Sequence, residues 1–300
     1  MKYFIGIAGW SYKDWDGIVY PEKKPSGFHG LRYLSRFFNF IEINSTFYRP
    51  PVFKFAQSWV KRTEDRNSFL FAVKLHQNFT HDRGSFSSRQ ADEFKFGIDP
   101  LRASGRLGAL LVQFPWSFRY SLPHWDHLAA LFRLFPGYPL ALEMRHSSWI
   151  QPEFFKWLKE NNAAFCNIDQ PVFRDSIGPR SEVTNDRFAY VRLHGRNTKN
   201  WFKKDAGRDQ RYDYLYSEAE LDEWKKRIQS AGEKAQKVFI VTNNHYQGQA
   251  VVNALQIKNK LTGESFDLPH RLLERFPVLQ RVAEAKNRIQ MDLFQKKNGE

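Results

Sequence analysis

Cysteine is nearly absent from this chain: Cys166 is the one thiol in 300 residues. That excludes an intrachain disulfide and any zinc or iron–sulfur centre built from several thiolates. No apolar run reaches the length of a membrane-spanning helix, about 18 residues. The start, Met1 to Tyr12, carries one lysine and a short apolar stretch broken by Gly6 and Gly9, which reads as a strand and not as a secretion signal. These absences point to the reducing cytoplasm and to no membrane partner. Acidic residues are scarce beside basic ones, 32 against 46, for a net charge of +14. The excess is +8 in residues 1–150 and +6 in 151–300, so it belongs to the folded body and not to a detachable tail. A basic body suits a polyanionic partner, DNA or RNA above all.

What is present is regular. Eight short apolar, β-branched or aromatic runs are bounded by turn residues: Tyr3–Ala8, Phe40–Asn44, Phe69–Leu75, Leu107–Phe114, Leu140–Met144, Ala164–Asp169, Phe188–His194 and Val238–Asn243. Between them lie stretches with helical spacing: Leu31–Phe38, Phe53–Arg62, Arg89–Arg102, Leu122–Phe135, Pro152–Glu160, Glu218–Ala231 and Gln249–Leu261. The connection Pro171–Arg187 carries no helical pattern. Eight strands alternating with helices predict a single α/β domain, a (β/α)8 TIM barrel over residues 1–262. A helical extension over 263–300, with a helix at Val278–Ile289, follows it. An open doubly wound sheet would need a glycine-rich turn after the first strand, and Gly9-Trp10-Ser11-Tyr12 is not one.

In a barrel the chemistry gathers at the C-terminal ends of the strands. Those ends are polar here, and four of the nine histidines sit at them: His76, His146, His194 and His245. Alternate strand residues share a face. If Ile41 and Ile43 face the helices, Glu42 and Asn44 face the lumen. The same reasoning sends Lys74 and His76, Glu143 and Arg145, Asn167 and Asp169, and Arg192 and His194 inward. Buried charges are costly unless paired, so the set is either a salt-bridge network or a ligand site. The pattern favours a site. Glu42, Glu143, Asp169 and His194 are its catalytic candidates. Trp10, Tyr48, Lys74, His76, Arg145, Arg192, Arg196, Asn243 and His245 are its candidates for binding a substrate or phosphate.

Histidines and carboxylates are numerous enough to hold a divalent metal, but Lys74, Arg145 and Arg192 nearly cancel Glu42, Glu143 and Asp169 before any metal is added. No metal-binding spacing is present either, so a metal cofactor is not favoured. Arginine instead suits phosphate or carboxylate. Aromatic residues cluster at the same strand ends, among them Trp10, Tyr12, Tyr48, Trp116 and Trp201. The segment Arg192–Arg211 holds seven basic residues against Asp205 and Asp209. Such a loop fits a phosphate-backbone clamp or a solvated lid about equally.

At these residues the chain resembles the YecE-like family, the prokaryotic domain of unknown function 72. The resemblance rests on Gly9-Trp10-Ser11-Tyr12-Lys13-Asp14-Trp15, Glu42-Ile43-Asn44-Ser45-Thr46-Phe47-Tyr48, Phe71-Ala72-Val73-Lys74, Gln113-Phe114-Pro115, Glu143-Met144-Arg145-His146, Asp169-Gln170-Pro171, Arg192-Leu193-His194-Gly195-Arg196 and Asn243-Asn244-His245. It implies a TIM barrel, similar at fold level to the endonuclease IV and sugar-isomerase superfamily, and it implies no settled activity. The tail segment Gln290-Met291-Asp292-Leu293-Phe294 looks like the peptide by which bacterial replication and repair proteins dock on the sliding clamp. Leu293 and Phe294 would be its apolar anchors and Gln290 its polar contact. The leading expectation is therefore a nucleic-acid- or nucleotide-associated enzyme with a phosphate site at the barrel mouth and possible clamp tethering. Two alternatives stand beside it. One is an isomerase, lyase or hydrolase of a small phosphorylated or acidic sugar, and the other is a non-catalytic adaptor for DNA or the clamp.

Overall fold

A computed structural model describes residues 1–82, 86–199, 201 and 208–285. Eight parallel strands close into a barrel in sequence order: β1 Lys2–Ala8, β2 Phe40–Ile43, β3 Leu70–Lys74, β4 Leu107–Gln113, β5 Leu140–Glu143, β6 Ala164–Asp169, β7 Ala189–Leu193 and β8 Lys237–Thr242. Closure comes from β1 pairing with β8, where Tyr3 lies beside Val238 and Ile7 beside Thr242. Each strand begins within a residue of the position that its apolar run predicts. Strands buried on both faces read as nearly continuous apolar runs, and that makes them legible.

The helices follow local signals. Ser87 and Ser217 open the helices Ser88–Ala103 and Glu218–Lys234 with capping boxes that involve Gln90 and Glu220. Pro152 begins its helix where a missing N–H costs nothing. The first helix is shorter than expected, Gly30–Leu34. The connection from β6 to β7 contains no helix among its residues. Its last stretch lies along β6 instead. Thr184 Oγ1 accepts from Phe165 N at 2.8 Å and donates to Ala163 O at 2.7 Å. The Asn167 side chain holds both backbone groups of Glu182, at 2.7 and 2.8 Å.

Aromatic rings fill the lower lumen. Phe40 stacks on Phe239 at 4.7 Å between ring centroids, and Phe4 and Tyr190 flank Phe239 at 5.4 and 6.0 Å. Gly108 makes room for this layer, since a Cβ there would lie 3.0 Å from the Phe239 ring. Beyond the barrel, Phe266, Leu272, Leu273, Phe276 and Leu279 bury into the same core as the strands and inner helix faces. Of the helix expected at Val278–Ile289, residues 286–289 lie outside the described residues, and in the part before them Pro277–Arg281 form a 3-10 turn and Ala283 bridges to Phe266. The anchoring of Val282 and Ala283 explains the difference: their backbone bonds go to the Phe266 segment and to Leu279. Gln290, Leu293 and Phe294 lie outside the described residues.

Candidate functional site at the barrel mouth

Glu42, Glu143 and Arg192 come from β2, β5 and β7 and meet at the top of the lumen, directly above the aromatic layer. Arg192 is fully buried and each of its three guanidinium nitrogens donates to a carboxylate. Nε and Nη2 donate to Glu42 at 3.0 and 2.6 Å, and Nη1 donates to Glu143 Oε2. Tyr190, one lumen position below, donates to Glu42 Oε2 at 2.8 Å and joins the aromatic layer to the ionic one. Burial opposes the charge on Arg192, but Glu143 and Glu42 more than restore it and hold its pKa well above the usual value. Burial opposes the Glu143 charge too, yet Arg192, His194 and Arg145 hold its pKa well below the usual carboxylate range.

The second oxygen of Glu143 is also fully engaged. Oε1 accepts from Arg145 Nε at 2.9 Å and faces His194 Nε2 at 3.2 Å. Asn243 Nδ2 lies 3.0 Å from His194 Nδ1. With the Asn243 amide nitrogen donating to Nδ1, the His194 proton sits on Nε2 facing Glu143, and Arg192 Nη1 stands 3.4 Å from the same nitrogen as a second donor. Burial lowers the His194 pKa to about 3 despite Glu143, so the ring is neutral at physiological pH. Gly195 follows with φ +90° and turns the chain away from the lumen. A Cβ there would meet Tyr214 Cβ at 2.7 Å, so glycine is required on both counts.

Two cations remain at the pocket. Arg145 spends Nε on Glu143, while its two terminal nitrogens have no hydrogen-bond partner among the described residues. Its guanidinium lies 5.6 Å from the Trp201 ring. Lys74 ends β3 with Nζ 3.8 Å from the centre of the Phe47 ring and no carboxylate of the described residues within ion-pair distance. Burial first, then Arg192, lowers its pKa to about 7 against the pull of Glu143. Around these groups lies a small pocket of about 90 Å³, lined by Asn44, Lys74, Gln113, Arg145, Asn243 and others. It opens on either side into wider clefts. One, about 430 Å³, has Trp10, Tyr12, Tyr48, Phe55 and Trp59 in its walls. The other, about 210 Å³, has Trp116, Trp201 and Tyr212. His245 stacks on Tyr12 at 4.6 Å and closes the pocket on the β8 side. Asn44 Oδ1 is buried with no hydrogen-bond partner among the described residues. A buried acceptor left unpaired costs free energy that a ligand would return.

The other expected members stand elsewhere. Asp169 faces the helices and not the lumen: it accepts from Trp224 Nε1 at 2.7 Å and from Arg196 Nε at 3.0 Å. Asn167 is on the same outer face. The register explains this correction. Ile168 lies beside lumen-facing Arg192 and Asp169 beside Leu193, so Cys166 and Ile168 take the inner positions of β6. Both faces of this strand are buried, and polarity therefore could not reveal which was inner. Its polar residues hold the helix-free connection and the helix Glu218–Lys234 instead. Arg196 is bound to Asp169 and Glu220 outside the pocket. His76 and His146 cap short helical turns, accepting from Asn78 N and Ser148 N. Among the described residues no group of three or more His, Cys, Asp and Glu gathers as a metal site would require. Residues that charge-based reasoning missed include Tyr190, Gln113, Tyr212 and His81. Two of them carried a signal: Tyr190 shares Arg192's strand face two residues earlier, and Gln113 stands in the Gln113-Phe114-Pro115 stretch at the end of β4.

Fold and site together define a TIM-barrel protein with a buried charge cluster at its catalytic-type end. The chain belongs to the family described as "Protein of unknown function DUF72", whose sequence model matches residues 4–275. It is 32% identical over 286 residues to the UPF0759 protein YunF of Bacillus subtilis, covering 91% of this chain and 99% of that one. The crystal structure of a DUF72 family protein from Thermotoga maritima matches at 33% identity and TM-score 0.76, over 87% of this chain and 99% of that one. One from Enterococcus faecalis matches at 26% and 0.76, over 88% and 97%. No described helix is long and apolar enough to cross a membrane.

Proposed function

We propose that the barrel mouth binds a phosphorylated ligand of the nucleotide or nucleic-acid class and that the protein acts on it as an enzyme. The observation that carries this reading is the unspent guanidinium edge of Arg145, set in a small polar pocket between two aromatic-walled clefts. Arginine grips a phosphate through such an edge. Flanking aromatic faces offer stacking to bases or sugar rings. The central pocket, about 90 Å³, is much smaller than the clefts beside it and suits a compact anionic group. An extended ligand with its phosphate at the centre and its rings in the clefts fits these proportions. Arg192 already donates from each of its nitrogens to Glu42 and Glu143 and so fixes both carboxylates, and Glu143 in turn orients Arg145 and His194. The net charge of +14 supports long-range attraction of a polyanion.

Titration with single-stranded DNA and with mononucleotides across salt concentrations tests the reading. Affinity should fall as salt rises, and Arg145→Ala should weaken binding by about tenfold or more. Absence of binding at low salt, or an unchanged affinity in Arg145→Ala, would refute it. Clamp tethering rests on the tail sequence, and replacing Leu293 and Phe294 with Ala should abolish capture by purified sliding clamp.

A further inference from the structure

Lys74 is the titratable group at the mouth that the binding reading leaves without a task. It lines the central pocket together with Arg145, Asn44 and Gln113. An ammonium in such a position ordinarily finds a carboxylate. Here the carboxylates at the top of the lumen are already engaged: Glu42 by Arg192 and Tyr190, and Glu143 by Arg192, Arg145 and His194. The charged and titratable groups facing Lys74 are Arg192 and Arg145, which oppose its proton, and Glu143 and Glu42, which favour it. His81 faces it as well and is itself held neutral, its pKa lowered to about 4 by burial and by Lys74 and Arg145. Phe47 covers one side of the amine, and Thr46 Oγ1 donates to the Lys74 carbonyl at 2.6 Å, pinning the backbone that carries it. The side chain is thus a positioned amine with no ion pair among the described residues, at a pocket on the barrel mouth.

We propose that Lys74 is a nucleophile that forms an imine with an aldehyde or ketone bearing an anionic group, such as the open-chain form of a sugar phosphate. This rests on the anion reading above for the grip that presents the carbonyl. The neutral amine attacks the carbonyl carbon; the C–N bond forms and the C=O π pair passes to oxygen, which takes up a proton. The carbinolamine then loses water, giving Lys–N=CHR. The two hydrogens of the amine leave with the carbonyl oxygen as that water, and nothing is oxidised or reduced. The cationic protonated imine would face the Glu42 and Glu143 carboxylates, which favour a positive charge at this position. Desolvation and neighbouring cations are the two means by which proteins make a lysine amine available for such chemistry.

The test uses the full chain with ribose 5-phosphate as probe and sodium borohydride to reduce any imine to a stable secondary amine, followed by peptide mass spectrometry. Lys74 should be modified at least about tenfold faster than surface lysines such as Lys13. The rate should climb through a midpoint near pH 7, and inorganic phosphate should slow it. Lys74→Arg keeps a cation but not the nucleophile and should give no adduct at this position, while the labelling of Lys13 stays as in the natural chain. Labelling of Lys74 no faster than of Lys13, with phosphate binding intact, overturns the nucleophile and leaves the anion site standing. Equal labelling of Lys74 by ribose and by ribose 5-phosphate, with no phosphate binding, supports the nucleophile and overturns the anion reading.

Discussion

The two ends of this barrel share eight strands and have opposite chemistry. At the lower end Phe4, Phe40 and Phe239 pack ring against ring. Two residues further along the same strand faces, Phe40 gives way to Glu42 and Tyr190 to Arg192. The lower layer explains how the upper one behaves. Rings beneath the charges keep water out, so ionic interactions are stronger there and unpaired charge is costlier. Under those conditions Arg192 is held charged between two carboxylates, while His194 is driven neutral and Lys74 is brought to about 7. A second cavity, about 380 Å³, lies at the lower end among Gly105, Gly108, Gly137, Arg187 and Phe239. It is roomier than the central pocket at the mouth, yet among the described residues it contains no comparable set of interlocked charges.

The contrast can be broken most severely at Arg192. Arg192→Ala strands two buried carboxylates and should cost about 3–5 kcal/mol of stability by urea denaturation. A loss under about 1 kcal/mol would mean that the upper layer is wet and the contrast false. A smaller effect sharpens the distinction between lumen and outer face. Asp169→Asn should lower stability by about 1–3 kcal/mol, through the weakened bonds to Arg196 and Trp224. It should leave phosphate affinity unchanged, and a lost affinity would return Asp169 to the site.

The gentlest probe is pH. With its folded pKa about 7 and its unfolded value near 10.5, Lys74 binds fewer protons in the folded chain than in the unfolded one between those limits. Stability relative to Lys74→Met should therefore rise with pH across that window, by at most about 1.4 kcal/mol per pH unit. The cost of the folded amine is fully present below pH 7 and gone above 10.5. A flat difference would show an ordinary, hydrated lysine.

The strands were readable because burial on both sides writes apolar runs into the sequence. Alternation then placed Glu42, Glu143 and Arg192 together correctly, since one face of each strand was plainly apolar. It failed at β6, where Cys166, Asn167, Ile168 and Asp169 are all buried and polarity marks no inner face. His76 and His146 were read as mouth residues from their position at strand ends, but which way a ring turns at a strand end depends on the turn that follows. Arg145 and Arg192 looked equivalent in sequence, yet one is fully paired and the other retains free donors.

The sequence alone determined the barrel, its order of strands and the height at which charges gather, because those follow from the periodicity of residues along a chain. Tertiary structure decided which charges neutralise one another, which face of β6 looks inward and which amine is left unpaired. Those outcomes depend on distances between side chains from segments as much as 150 residues apart, and no local pattern encodes them.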